Sequence, residues 1–325
     1  MSSSILRRIV GVGFLALVVL APASPALAGG PQRFVVFGDS LSDPGNAFVL
    51  LRDVEIPPFD SLIPEAPYAR GALHFSNGPT WVEQLSLLDH ALPSAGPALF
   101  IPLLFSNYAV GGARARREGP FDLSTQVGLF VSDFGGHGPS GALYIVFVGG
   151  NDLRDALSAL AQGPGGAASA GLILAGALSA IRDNLFALRS AGARNFLVAN
   201  APDIGLTPFV RLLGPAAQGA ATFLAGEFNR GLEGILQVVE GGGAHITRLD
   251  VFRFLNEVVA APAAFGLTDV THPCIALNTR AHPFCATPNK FLFWDGIHPT
   301  FAGHRLLAQR ANAALGAASA LAAAP

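Results

Sequence analysis

Four side-chain types that together perform nucleophilic acyl chemistry each stand at the end of an apolar run in this chain. Ser40 follows FVVFG in FVVFGDSLSDPGN (residues 34–46), Gly111 and Gly112 close NYAVGGA, Asn151 lies in VGGND, and Asp295 and His298 belong to FWDGIHPT. A hydroxyl needs a base to take its proton and a carboxylate to orient that base, roles open to Ser40, His298 and Asp295, which is three residues upstream of the histidine. The developing oxyanion needs fixed donors. The backbone N–H of Ser40, that of a glycine in AVGGA and the side-chain amide of Asn151 qualify, since glycine admits a close backbone approach and an amide donates without titrating. Taken singly, Gly-Asp-Ser is a common turn or helix cap. The weight comes from coincidence, because open parallel sheets build their sites at the carboxyl ends of the strands.

Other groups compete for these roles. Asp39 and Asp43 flank Ser40 and could be read as a glycosidase pair, but carboxylates four residues apart in a turn are better placed to cap the following helix and shape the loop. Asp152, beside Asn151, reads as a loop-fixing residue. His74, His90, His137, His245, His272, His282 and His304 are scattered without metal-like spacing. Of these His304 is the rival base, although no acid stands three residues before it. ARARRE at 113–118 carries Arg114, Arg116 and Arg117 and reads either as a solvated loop or as a holder of an anionic head group or carboxylate.

The elements that position these residues alternate. RFVVFG, LLFSNYAV, GALYIVFVGG, ARNFLVAN and AHITRLD are apolar enough for strands, with helices expected in PTWVEQLSLLDHAL from Pro79, in the Ala-rich stretch from 166 to 191, in GAATFLAGEFNRGLEGILQVVE and in TFAGHRLLAQRANAAL. GPGGAASAG at 163–171 reads as a loop. That order predicts an α/β protein with a parallel sheet covered on both faces. No repeat or linker divides residues 29–325, so one domain is expected, ending in an Ala-rich tail with little to pack and no passenger or anchor domain after it.

Residues 1–28 predict a removable export signal: Arg7 and Arg8, the run IVGVGFLALVVL, and SPALA with small Ala26 and Ala28. The run is short of the roughly 20 residues that span a bilayer. GVGFLA within it loosely matches a dinucleotide fingerprint but has no strand before it. The 325-residue chain is 51% hydrophobic and 13% charged, with a formal net charge of -2. Such a balance excludes disorder and lacks the basic face that nucleic-acid binding requires. Two cysteines, Cys274 and Cys285, bracket IALNTRAHPF; in an exported chain the simplest reading is one disulfide, and no CxxC spacing points to zinc.

The ordered blocks FGDSLSDPGN, FSNGPTWVEQL, NYAVGGA, VGGNDL, APDIGLTP and FWDGIHPT resemble those of the SGNH/GDSL hydrolases, in particular secreted bacterial lipases, phospholipases and acyltransferases. The four residues of the family's name occur in order as Ser40, Gly112, Asn151 and His298, with DxxH from Asp295 to His298. The choice of Gly112 over Gly111 rests on this comparison. Pro44 departs from the Thr or Asn more usual there. GxSxG and HExxH are absent from the chain. The resemblance implies a three-layer α/β/α sandwich with a mostly parallel, flavodoxin-like sheet. It implies a secreted serine esterase or lipase working through an acyl-enzyme on Ser40, with no cofactor or metal, on a small-molecule or lipid ester, with transient contact at a lipid surface. A phospholipase or lipid acyltransferase uses the same site. A non-catalytic secreted binding protein is the reading from another class, although Ser40, Asn151, Asp295 and His298 are all present. A polysaccharide acetylesterase is disfavoured, since two tryptophans and three tyrosines offer few sugar platforms while 24 phenylalanines suit an acyl chain.

Overall fold

The computed structural model describes residues 33–51, 73–91, 93–275 and 284–322. The export-signal expectation for residues 1–28 falls outside them.

Four strands, β1 (Phe34–Gly38), β2 (Leu143–Phe147), β3 (Asn195–Ala199) and β4 (His245–Leu249), form a parallel sheet in the order β1-β2-β3-β4. β1 and β2 are buried along their whole length, which is why they read as continuous apolar runs rather than alternating ones. Alternate residues still serve different cores. Val35, Phe37, Tyr144, Val146, Phe196 and Val198 pack on one face, whereas Phe34, Val36, Leu143, Ile145, Phe147 and Leu197 pack on the other.

The first face is covered by α3 (Leu123–Asp133), α4 (Gly150–Leu160), α5 (Gly166–Ser190) and α7 (Pro215–Gly241), and the second by α2 (Trp81–Leu88), α8 (Val251–Ala260) and α9 (Phe301–Ala322). The result is a three-layer α/β/α arrangement. α5 is long and apolar enough to cross a membrane by composition. Its Ala170, Leu174, Ala177, Ile181, Leu185 and Leu188 nevertheless form a buried stripe at helical spacing, as in a core helix. Two short helices, α1 (Asn46–Leu51) and α6 (Pro208–Leu212), and the parallel pair β5 (Asp269–Pro273) and β6 (Phe291–Phe293) complete the elements.

Two expectations need correction. LLFSNYAV, expected as a strand, is an extended segment with only isolated bridges. It bonds to β1 on the side away from β2, Val36 donating to the Ser106 carbonyl, Tyr108 to that of Val36 and Val110 to that of Gly38. A regular ladder fails to continue because its outer groups are taken by side chains: Asn46 Nδ2 donates to the Asn107 and Ala109 carbonyls, and Asn107 Oδ1 accepts from the Ala109 N–H. With this segment beside β1, the spatial order is flavodoxin-like. GPGGAASAG, read as a loop, is one only at 163–165: α5 begins at Gly166, and Ala170 already belongs to its buried stripe.

At the end of β1 the chain must approach its neighbour closely. A Cβ on Gly38 would stand 2.4 Å from the Phe147 carbonyl oxygen, so only glycine lets β1 enter the Ser40 turn at this register.

Candidate active site

Ser40 and the DGIH loop, 255 residues apart, are brought into contact by β1 and β6. Ser40 leaves the end of β1, and the loop leaves β6 and is held by the Trp294 N–H, which donates to the His298 carbonyl. His298 Nε2 lies 2.7 Å from Ser40 Oγ, and His298 Nδ1 lies 2.6 Å from Asp295 Oδ2. All three residues are buried. Asp295 Oδ1 accepts from the Ile297 and His298 N–H groups at 2.8 and 2.7 Å, so with the imidazole on Oδ2 three hydrogen bonds from two residues of the same loop fix the carboxylate. Burial, the largest influence, pushes the Asp295 carboxyl up. The charge of His298 and these hydrogen bonds together outweigh it and hold the group below the usual carboxylate range. An ionised Asp295 fixes the proton on Nδ1, leaving Nε2 to accept from the Ser40 hydroxyl. Phe75 covers the imidazole, ring centroids 5.3 Å apart.

The donors arrange themselves around this line. The Gly111 N–H donates to Asp43 Oδ2 at 2.7 Å and is thereby used, whereas the Gly112 N–H has no acceptor among the described residues. Gly112 also holds φ +80, a conformation natural to glycine. Asn151, at the start of α4, uses one amide hydrogen on the Ala113 carbonyl at 2.9 Å, which leaves its second hydrogen for a substrate. Ser40, Asn151 and His298 line one cleft of about 480 Å³, and Gly112 does not; its neighbour Ala113 connects the glycine loop to Asn151.

Side chains around the cleft hold these loops. Asp43 accepts from the Gly45, Asn46 and Ala47 N–H groups, capping α1, as well as from Gly111. Asp152 accepts from Ala115 N–H and from the Arg116 guanidinium, both at distances near 2.7–2.8 Å. Asp39 accepts from the Leu41 N–H, and burial pushes its carboxyl up to about 7. In the FSNGPT block, Ser76 donates to the Pro299 carbonyl and Asn77 accepts from the first N–H of α9. Thr207 caps α6, Pro208 occupies its first position, and the Phe209 N–H donates to the Gly296 carbonyl, which pins α6 against the DGIH loop.

Several candidates lie elsewhere. His304 is buried with Nδ1 accepting from the Trp81 N–H at 3.2 Å, a neutral acceptor for the start of α2, and desolvation drives its pKa down to about 3. Arg114 and Arg116 both ion-pair with Asp155, and Arg116 with Asp152 as well, so they brace the glycine loop and α4 rather than standing as free cations. Cys274 and Cys285 are joined; Cys274 packs with Phe75 and with Trp294, the residue that precedes the DGIH loop.

Two residues escaped the sequence reading. Gln126 clamps the end of β1, Oε1 accepting from the Gly38 N–H and Nε2 donating to its carbonyl. Its signal was a polar residue in the buried stripe Leu123, Val127 and Phe130 of α3. Arg154 lines the cleft beside Ser40 and Asn151. No motif marks it.

The family model described as GDSL-like Lipase/Acylhydrolase matches residues 34–311. The chain is 30% identical over 334 residues to an uncharacterized protein from the trpE-trpG intergenic region of Pseudomonas putida, covering 93% of this chain and 52% of that protein. It is 26% identical over 298 residues to the thermolabile hemolysin of Vibrio parahaemolyticus, covering 86% of this chain and 62% of the hemolysin. The chain therefore spans between half and two thirds of the length of these two relatives. A GDSL esterase/lipase of Arabidopsis thaliana is 26% identical over 84% of this chain and 86% of its own length. Among solved structures, an extracellular lipase from Streptomyces rimosus shares 15% identity with a TM-score of 0.40, covering 88% of this chain and 99% of that one, too distant a likeness to add to the family match. The match to the family model over nearly the whole described chain carries the assignment: the chain belongs to the GDSL-like lipase/acylhydrolase family.

Proposed function

We propose that the protein is a secreted serine ester hydrolase. Ser40 Oγ attacks the ester carbonyl while His298 Nε2 takes its proton, and Asp295 holds the imidazole and stabilises the charge it gains. The Ser40 and Gly112 N–H groups and Asn151 Nδ2 receive the oxyanion. His298 then returns the proton to the leaving alcohol, giving an acyl-enzyme on Ser40. Water, activated by the same imidazole, releases the acid. Leu41, Ile204, Phe209, Val210 and Ile297 give the cleft an apolar wall suited to an acyl chain. The observation that carries this reading is the unbroken line from Asp295 through His298 to Ser40 at 2.6 and 2.7 Å. Export is part of the proposal, supported by the segment 1–28 and by the cysteine pair.

A p-nitrophenyl ester series from acetate to palmitate tests it. Turnover on at least one member is expected, and a folded protein silent on the whole series and on phosphatidylcholine contradicts the assignment.

Within that mechanism, Asn151→Ala is expected to lower kcat by about a hundred- to a thousandfold with little change in KM, the usual loss for one oxyanion donor. A raised KM at constant kcat would instead make Asn151 a ground-state binding group.

A further inference from the structure

A guanidinium in an ester-binding cleft requires a reason. Arg154 projects from α4 into the cleft that holds Ser40, Asn151 and His298, and it is half-buried there. No carboxylate lies within ion-pairing distance of it among the described residues, whereas its neighbours Arg114 and Arg116 are both taken up by Asp155. Of its five N–H donors, only one has a protein acceptor among the described residues, Asn151 Oδ1 at 3.3 Å. The guanidinium carbon stands 5.7 Å from the centroid of the Phe209 ring, which orients the plane without neutralising the charge. Desolvation is the largest influence on its titration and lowers the pKa, in keeping with a cation partly withdrawn from water. Taking a cation out of water is costly unless a counter-charge arrives. Asp39, in the same cleft, does not supply one by contact, and burial holds its carboxyl up near 7.

We propose that Arg154 forms an anion subsite beside the scissile ester, so that the preferred substrates carry a phosphate or carboxylate on the alcohol side of the bond. The inference rests on the ester-hydrolase reading and narrows it. An acyl chain follows the apolar wall of Ile204, Phe209 and Val210, while the planar fork of Arg154 takes two oxygens of the anion. The same cation donates to Asn151 Oδ1 and, with the Ala113 carbonyl on one amide hydrogen, fixes the amide so that its second hydrogen is left for the carbonyl being attacked. Binding of the anion and presentation of the oxyanion donor are thereby linked.

The test compares three hexanoyl esters: 1-hexanoylglycerol, which is neutral, 1-hexanoyl-glycero-3-phosphocholine, and O-hexanoyl lactate. In the wild-type protein kcat/KM is expected to be higher for a charged ester than for the neutral one. Arg154→Gln, which keeps an N–H donor, is expected to lower kcat/KM on the preferred charged ester by about 10- to 100-fold, mainly through KM, as for a lost charge-assisted hydrogen bond. The loss should exceed that on 1-hexanoylglycerol by at least tenfold, and Arg154→Lys should recover part of it. The phosphate and carboxylate arms show which anion is held. Equal losses on all three esters, falling on kcat, would overturn the subsite and leave Arg154 as a positioning residue for Asn151. Calorimetric titration of hexyl phosphate decides independently of turnover: wild-type protein binds it and Arg154→Gln does not, and absence of binding to the wild type, together with no preference for O-hexanoyl lactate, refutes the proposal. Failure of the ester-hydrolase reading itself has a different signature, no turnover of any ester with hexyl phosphate binding intact.

Discussion

Ser40→Ala is expected to reduce kcat on the best p-nitrophenyl ester by roughly four to six orders of magnitude, while leaving the protein folded. The size follows from removing the atom that forms the acyl-enzyme; what survives is the weaker catalysis of the oxyanion donors and of binding. Folding should be spared because the hydroxyl's contact is with His298, and the turn is held by other atoms, notably Asp39 on the Leu41 N–H and Gln126 on Gly38. Kinetics on the purified variant, with circular dichroism and a thermal melt beside them, check both halves. A serine-directed organophosphate should modify the wild-type protein once, at Ser40, and the variant not at all. Activity within tenfold of wild type, or modification at another serine, removes Ser40 from the mechanism.

Much of this arrangement was legible in the chain because strand interiors and strand ends leave different marks. β1 and β2 are buried on both faces and had to be runs of apolar residues, and the polar cluster after each marks where the sheet opens to a site. DGIH was readable because Asp295 and His298 lie within one turn, so a local spacing encodes their contact. LLFSNYAV was misread for the opposite reason: its pairing is limited by Asn46, more than fifty residues away, whose side chain competes for its carbonyls. Gln126 and Arg154 were missed on similar grounds. Each acts through a contact set by packing between elements, and a polar residue on a helix carries no mark of what it will face. The ARARRE cations show the same limit, since only the fold brings Asp152 and Asp155 of α4 against them.

The base is the second position where a large effect is expected. His298→Ala should lose activity about as completely as Ser40→Ala, since a serine hydroxyl without its general base is a poor nucleophile and the two groups act as a unit. Asp295→Asn should cost less. The asparagine can still accept from the Ile297 and His298 N–H groups, so the loop keeps its shape, but an uncharged oxygen neither fixes the Nδ1–H tautomer as firmly nor stabilises the imidazolium. Because the Asp295 carboxyl is held below the usual carboxylate range, it stays ionised near neutral pH and orients the imidazole there, and a reaction that needs a free base should show kcat/KM rising with pH. Within the cleft the Asp39 carboxyl, pushed up to about 7, titrates near neutrality and would give a limb of its own. Asp39→Asn separates the two: the rising limb persists in this variant if the imidazole is responsible, and it disappears if the limb belonged to Asp39. His304→Ala supplies the complementary control. Its ring accepts from the Trp81 N–H and is held neutral by burial, so the variant should lose thermal stability yet keep the wild-type pH profile per folded molecule. A folded His304→Ala protein that turns over no ester, set against an active His298→Ala protein, reverses the assignment of the base and with it the role of Asp295.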